Sequence, residues 1–198
     1  MRRYIITLIL CIAASTIYAN DGSNHLRSLT KAIEQMGSYS VVFSIEVDDF
    51  SQGGEYSVSV SGDDASYQLI VATQTIVGNN SERTIYDGTN KEKIIERVDP
   101  TTPMIMSNPI VAFTSLDALF DSTVVEQNEE IISLELRPKD NDIVESVILE
   151  MSATDKLPKK ITYRADGEEL SIVIKSFTRG ATESNLPIAE GYKEIDLR

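Results

Sequence analysis

Apolar positions recur along this chain with two different periods. Leu26, Leu29, Ile33 and Met36 fall at helical spacing, and Gly37 follows as a C-terminal cap, so the pattern predicts one amphipathic helix that ends where Ser38-Tyr39 begin a strand. From there the period is two. Val41, Phe43, Ile45 and Val47 alternate with smaller or polar residues, and after a turn expected at Gly53-Gly54 so do Tyr56, Val58 and Val60. Further strands are predicted at Tyr67 to Gln74, Arg83 to Tyr86, Glu92 to Val98, Ser122 to Glu126, Glu130 to Arg137, Ile143 to Ser152, Lys159 to Arg164, Leu170 to Thr178 and Tyr192 to Leu197. Turn pairs such as Asp87-Gly88, Asn128-Glu129, Asp140-Asn141 and Asp166-Gly167 separate them. About eleven strands joined by hairpins describe a mainly β chain (α+β) built on one large antiparallel sheet.

The stretch from Pro100 to Asp121 breaks the pattern. Asn108 can cap a helix with Pro109 at its first position, and Ile110, Val111, Phe113, Leu116, Leu119 and Phe120 follow, preceded by Met104-Ile105-Met106. So apolar a segment belongs against the sheet. With the first helix it is expected to cover one face as a plug or lid. No repeat, low-complexity stretch or domain boundary interrupts residues 20–198, and Thr182 to Pro187 reads as a surface loop before the last strand.

Arg2 and Arg3 precede the apolar run Tyr4 to Ala14, and Ser15 to Ala19 lead into polar Asn20-Asp21-Gly22, the layout of a cleaved secretory signal peptide over residues 1–19. The run is short of the roughly 20 residues that a membrane-spanning helix needs. Lipid modification of Cys11 is the competing reading. Leu10 is bulky for it, where Gly or Ala is wanted. Cleavage removes Arg2, Arg3 and Cys11, so the exported chain folds on its core without a disulfide.

Composition narrows the chemistry. The 198 residues carry 18 Lys+Arg against 31 Asp+Glu, a formal net charge of −13, and no basic cluster compensates, which disfavours nucleic acid. One cysteine and one histidine, Cys11 and His25, leave no Cys-His dyad or Cys/His zinc set. Hydrolysis by carboxylates alone is the strongest enzymatic option. Yet Asp48-Asp49, Asp63-Asp64 and Glu129-Glu130 fall at predicted turns, and Asp140-Asn141-Asp142 lacks the glycine and downstream glutamate of a calcium loop. No cofactor, metal ligand or catalytic residue is indicated, and the chain is not read as an enzyme.

The apolar residues carry more information. Met104, Met106, Phe113 and Phe120 face alternating strand positions, either as a plain core or as a methionine-containing lid that parts for a hydrocarbon chain. Periodicity does not distinguish a filled barrel from a hollow one.

The order of elements resembles the periplasmic outer-membrane lipoprotein carrier proteins, the LolA-like family, over the whole exported chain. The residues that carry the resemblance are Leu26-x-x-Leu29, Gly37-Ser38-Tyr39-x-x-x-Phe43, Thr84-Ile85-Tyr86-Asp87-Gly88-Thr89 with Ile94-Ile95 and Val98-Asp99-Pro100, and Asn108-Pro109-Ile110. Leu134-x-Leu136-x-Pro138, the paired strands Ile143 to Met151 and Lys159 to Arg164, and Leu186-Pro187-x-x-x-Gly191-Tyr192 complete it. Two departures stand out. Ser61-Gly62-Asp63-Asp64 replaces the family's Arg-Pro, whose arginine holds the lid, and Lys91-Glu92-Lys93 replaces an aromatic after the Asp-Gly turn.

The resemblance implies an unclosed antiparallel β-barrel with an N-terminal helix and a helical lid over an apolar cavity for the acyl chains of lipoproteins. It also implies a monomeric periplasmic chaperone whose partners are acylated lipoproteins, an inner-membrane lipoprotein-releasing ABC transporter and an outer-membrane acceptor. The expected cavity lining is Val41, Phe43, Ile45, Tyr56, Val58, Leu69, Val71, Ile172 and Ile174, covered by Met104, Met106, Ile110 and Phe113. Three alternatives remain: a lipid- or lipoprotein-sensing protein of the same fold, a carboxylate-dependent envelope hydrolase, and an envelope protein with a solid core.

Overall fold

The computed structural model describes residues 22–61, 64–98, 108–110, 112–139, 145–181 and 190–198. The signal segment, Cys11, Met104, Met106, the Asp140-Asn141-Asp142 turn and the loop expected over Thr182 to Pro187 lie outside them.

Helix α1 covers residues 22–34. Leu26, Leu29 and Ile33 are fully buried on one side of it, as their spacing predicts, and Gly37 follows with φ of +66°, the left-handed geometry glycine adopts without penalty at a helix end. Arg179 closes this end from the sheet. Its Nη2 donates to the Gln35 carbonyl and its Nε to that of Met36 at 3.2 Å, placing a cation where the helix dipole is negative.

Twelve strands form one sheet: β1 (Tyr39–Val47), β2 (Phe50–Ser61), β3 (Asp64–Val71), β4 (Gln74–Asn79), β5 (Glu82–Asp87), β6 (Glu92–Arg97), β7 (Phe120–Gln127), β8 (Ile131–Pro138), β9 (Ser146–Ser152), β10 (Pro158–Ala165), β11 (Glu168–Arg179) and β12 (Lys193–Asp196). Their spatial order is β12-β6-β5-β4-β3-β2-β1-β11-β10-β9-β8-β7, so among the described residues β12 and β7 are the edges and the barrel is unclosed.

Three expectations about the strands change. The stretch Tyr67 to Gln74 is two strands, because the chain reverses at Ala72-Thr73 with Val71 opposite Gln74. Ala72 takes φ of +51° there, a conformation that alanine does not advertise in a sequence. The first hairpin turns at Asp48-Asp49, with Val47 opposite Phe50, and Gly53-Gly54 sit inside β2 opposite Ser44 and Phe43. Last, β12 runs parallel to β6, from Lys193↔Glu92 to Asp196↔Ile95, in a sheet otherwise antiparallel.

One face of the sheet is apolar. Tyr39, Val41 and Phe43 of β1, Tyr56 and Val58 of β2, Tyr67 and Leu69 of β3, and Leu134, Leu136, Leu149, Ile161 and Ile172 farther round all join one buried cluster with α1. Between β1 and β11 the register passes from Val42↔Ser176 to Phe43↔Ile174, leaving Lys175 as the extra residue of a bulge. That residue resets the alternation, so Ile174 and Phe177 both face the core despite being three apart.

Candidate functional site

The connection from β6 to β7 leaves described residues against the apolar face of the sheet, where Ala112, Phe113 and Leu116 join the buried cluster. Its described residues do not form the long helix expected from Asn108 to Phe120. The Ala112 N–H reaches the Asn108 carbonyl at 3.1 Å, one helical turn, and regular helix α2 covers only Leu116–Leu119. Thr114 and Ser115 favour local side-chain hydrogen bonds over helix, and Thr114 Oγ1 donates back to the Ile110 carbonyl at 3.2 Å. Phe120 belongs to β7.

This lid segment is held from α1. Thr30 Oγ1 donates to the Phe113 carbonyl at 3.2 Å, Ser23 Oγ donates to Asp117, and Arg27 Nε lies 3.4 Å from the same carboxylate. From β8's end, Lys139 Nζ donates to the Asp117 carbonyl at 3.0 Å. The tether is a set of hydroxyls and one exposed ion pair between α1 and the lid segment, with Lys139 added from the end of β8.

Between the lid segment and the sheet lies a narrow apolar pocket with only about 10 Å³ of free space, lined by Ala112, Phe113 and Leu116 of the lid segment, Phe120 of β7, and Leu136, Val147, Leu149, Ile161 and Tyr163 of β8 to β10. Beside it an aromatic chain fills the barrel. Phe113 meets Phe177 edge-on at 6.1 Å, Phe177 stacks on Tyr39 at 5.0 Å, and Tyr56 sits 6.1 Å from both Tyr39 and Phe43. Burial pushes the phenols of Tyr39 and Tyr56 well above their ordinary pKa, and Tyr56 feels Tyr39 and Tyr163 in addition.

Of the expected lining residues, Phe113 borders this pocket. Val41, Phe43, Tyr56, Val58, Leu69, Ile172 and Ile174 are buried in the continuous core beside it, with Ile45, Val71 and Ile110 packed against them at partial exposure. Sequence reasoning passed over the β8 to β10 wall. Its signal was present in the alternations Ile132-Leu134-Leu136 and Val147-Leu149-Met151, which match the ones chosen.

Among the described residues no charged side chain lines this pocket. Asp87, Asp155 and Asp196 are held below the ordinary carboxylate range, Asp87 first by the N–H groups of Asn90 and Thr89 and Asp196 first by Arg198. A carboxylate hydrolase needs the opposite shift on its acid. Among the described residues no group of three or more His, Cys, Asp or Glu is placed to hold a metal ion.

No protein-family model and no curated protein matches this chain. Solved structures do. MucB in the MucA/MucB complex of Pseudomonas aeruginosa is 17% identical with a TM-score of 0.55, over 83% of this chain and 59% of that one. A putative outer membrane lipoprotein-sorting protein domain from Vibrio parahaemolyticus is 9% identical with a TM-score of 0.50, over 80% and 92%. An uncharacterized conserved protein from Thermus thermophilus is 8% identical with a TM-score of 0.59, over 86% and 98%. The chain spans about three fifths of the length of the MucB structures it matches. At these identities the likeness is one of architecture, and with the motifs read from the sequence it assigns this chain a LolA-like fold, an unclosed barrel with a helix and a lid against its apolar face.

Proposed function

We propose that this protein is a periplasmic carrier that shields the acyl chains of lipoproteins and shuttles them from the inner to the outer membrane, without a catalytic step. It would receive cargo from an inner-membrane ABC transporter and yield it to an outer-membrane acceptor. The observation that carries this reading is the uncharged pocket beneath a lid tied down by a few polar contacts. An acyl chain costs about 0.8 kcal/mol per methylene left in water, so a carrier must shield it and yet release it. With about 10 Å³ of free space the pocket is closed in this state, far below the roughly 300–1,000 Å³ of ordinary ligand sites, so cargo must displace the lid and open onto the core residues Val41, Phe43, Leu69, Ile172 and Ile174. The exposed Arg27–Asp117 pair suits that exchange, since it contributes little. The leader-like N-terminus and the likeness to a lipoprotein-sorting domain support the compartment.

The test is native mass spectrometry and lipid extraction on protein purified from a periplasmic fraction. A stoichiometric acylated protein, lost in Phe43→Asp or Ile172→Asp, is the expected result. A clean apo mass with no uptake of added lipopeptide favours a solid-core envelope protein instead.

The likeness to MucB, seen in complex with MucA(peri), favours a second reading in which the ligand is a protein partner and the fold acts as a sensor. A partner retained equally well with and without its acyl chains would support that reading.

A further inference from the structure

β12 is the shortest strand of the sheet, and among the described residues it pairs with β6 alone. Of its four side chains only Ile195 is even half-buried, and Leu197 just beyond it is exposed. Little apolar burial therefore holds it. What holds it is polar. The Lys193 N–H donates to the Lys91 carbonyl and the Leu197 N–H to that of Ile95, each at 2.8 Å. Lys93 Nζ meets the Glu194 carboxylate at 2.8 Å, Arg198 reaches Glu82 at 3.1 Å, and Lys91 lies over the Tyr192 ring. Each ion pair keeps at least one partner in solvent, so each contributes little. The register is nonetheless well specified. Lys193 stands opposite Glu92, Glu194 opposite Lys93 and Ile195 opposite Ile94, so a basic, acidic, apolar run lies on an acidic, basic, apolar one. A slip of one residue either way sets like charges together, Lys193 against Lys93 or Glu194 against Glu92.

Weak retention with a specified register is what an exchangeable strand requires. We propose that the β6 edge is a docking site for an extended segment of a partner protein, which displaces β12 and pairs with Glu92–Arg97 in its place. The partner segment carries the chemistry that β12 displays: a basic, an acidic and an apolar residue in succession, running parallel to β6. Departure of β12 bares the outward N–H and C=O groups of β6, and an added strand satisfies them while the two charged positions set its register. None of these residues lines the apolar pocket by β8 to β10, so the site stands independently of acyl binding.

Two fluorescent peptides test this by anisotropy against the full exported chain: one copies residues 191–198, and the other exchanges the order of its Lys and Glu. A strand that has to leave first lowers the apparent affinity by the fraction of chains whose edge is open. The double variant Lys193→Glu, Glu194→Lys mismatches its own β12 with β6, so it is expected to bind the copy roughly tenfold more tightly than the unsubstituted chain. Glu92→Lys with Lys93→Glu should reverse the preference, to the exchanged peptide. All four positions are exposed or half-buried and each double variant keeps the net charge, and hydrogen exchange in β1 and β11 reports that the fold is retained. Equal binding of the copy by the unsubstituted and mismatched chains, no binding by the mismatched chain, or a peptide preference indifferent to the β6 substitutions overturns the proposal. Concentration-dependent dimers of the unsubstituted chain that vanish in the mismatched one would put a second copy's β12 on this edge, and so overturn the assignment to a partner protein.

Discussion

Phe43 and Gly54 stand opposite one another on β1 and β2, and a Cβ at position 54 would lie 2.6 Å from Phe43 Cζ and 2.9 Å from Val71 Cγ2. The glycine is thus a socket in the middle of a strand, and the phenyl ring fills the space that a side chain would take. Gly54→Val is expected to lose about 1–3 kcal/mol through overpacking. For a chain of this length that lowers the melting temperature by roughly 2–4 °C per kcal/mol. Phe43→Leu in the same chain should recover part of the loss, and thermal denaturation of the four proteins of the cycle measures the coupling. Additive losses would show that the ring and the glycine do not depend on each other.

The lid tether separates stability from exchange. Arg27 and Asp117 are solvent-exposed, so Asp117→Ala should cost under about 1 kcal/mol. It also removes the acceptor of Ser23, and Thr30→Val removes the donor to the Phe113 carbonyl. The double variant is expected to exchange the amide hydrogens of residues 112–119 faster while those of β1 and β11 stay protected. Uniformly faster exchange across the sheet would mean that the lid is part of the global fold and not a separately opening unit.

Alkali should find the aromatic core. Tyr39 and Tyr56 are buried with pKa values raised by desolvation, so the folded chain keeps both phenolic protons above the pH at which the unfolded chain loses them, near 10. The unfolded state then binds fewer protons, and stability falls as pH rises past that point, by up to about 1.4 kcal/mol per pH unit for each tyrosine. Below pH 9 neither contributes a slope. Tyr56→Phe should shallow the alkaline limb and, because the Tyr56 hydroxyl has no partner among the described residues, should leave stability at pH 7 unchanged or higher, as read by urea melts at each pH.

Acid should loosen the C-terminus instead. Arg198 bonds Asp196 and reaches Glu82 at 3.1 Å, and it holds the Asp196 carboxyl down to about 2. A depressed carboxylate contributes above its unfolded value near 4, and the contribution disappears as pH falls toward 2. Limited proteolysis with pepsin from pH 4 to pH 2 is expected to release the β12 segment ahead of the rest. Release of β12 as fast at pH 4 as at pH 2 would show that the Arg198 contacts do not hold it.

What the sequence disclosed and what it withheld divide along physical lines. Strand alternation is a local signal, and it located the apolar phase on both halves of the sheet, including Val41, Phe43 and Leu69. Turn chemistry is local only when the residue advertises it. Asp166-Gly167 did so, whereas Ala72 holds a positive φ that tertiary pairing imposes. Gly53-Gly54 misled in the other direction, because a glycine required for close packing looks the same as one required for a turn. The lid helix was overestimated at Asn108-Pro109, where capping residues are followed by side chains that compete for the backbone. Parallel pairing of Lys193 to Asp196 with β6 depends on a neighbour about a hundred residues away, and the β8 to β10 wall of the pocket depends on which hollow the lid crosses. The parallel pairing is written in no window of sequence, and the alternation of the wall marks it as apolar without saying that the lid lies over it.

The seam between β1 and β11 has a kinetic consequence. Most other pairings join neighbours in sequence, so each half of the sheet can zip up from its own hairpins, whereas Tyr39↔Arg179 joins residues 140 positions apart. Closing so long a loop is the costly step for a two-stranded contact, and it should come late. Phe177 and Ile174 arrive on β11 beside Tyr39 and Phe43 of β1, so the aromatic interior is completed only by that closure. A chain whose β11 has not yet docked would therefore expose two half-sheets with bare apolar faces, and in that interval the protein is most open to aggregation.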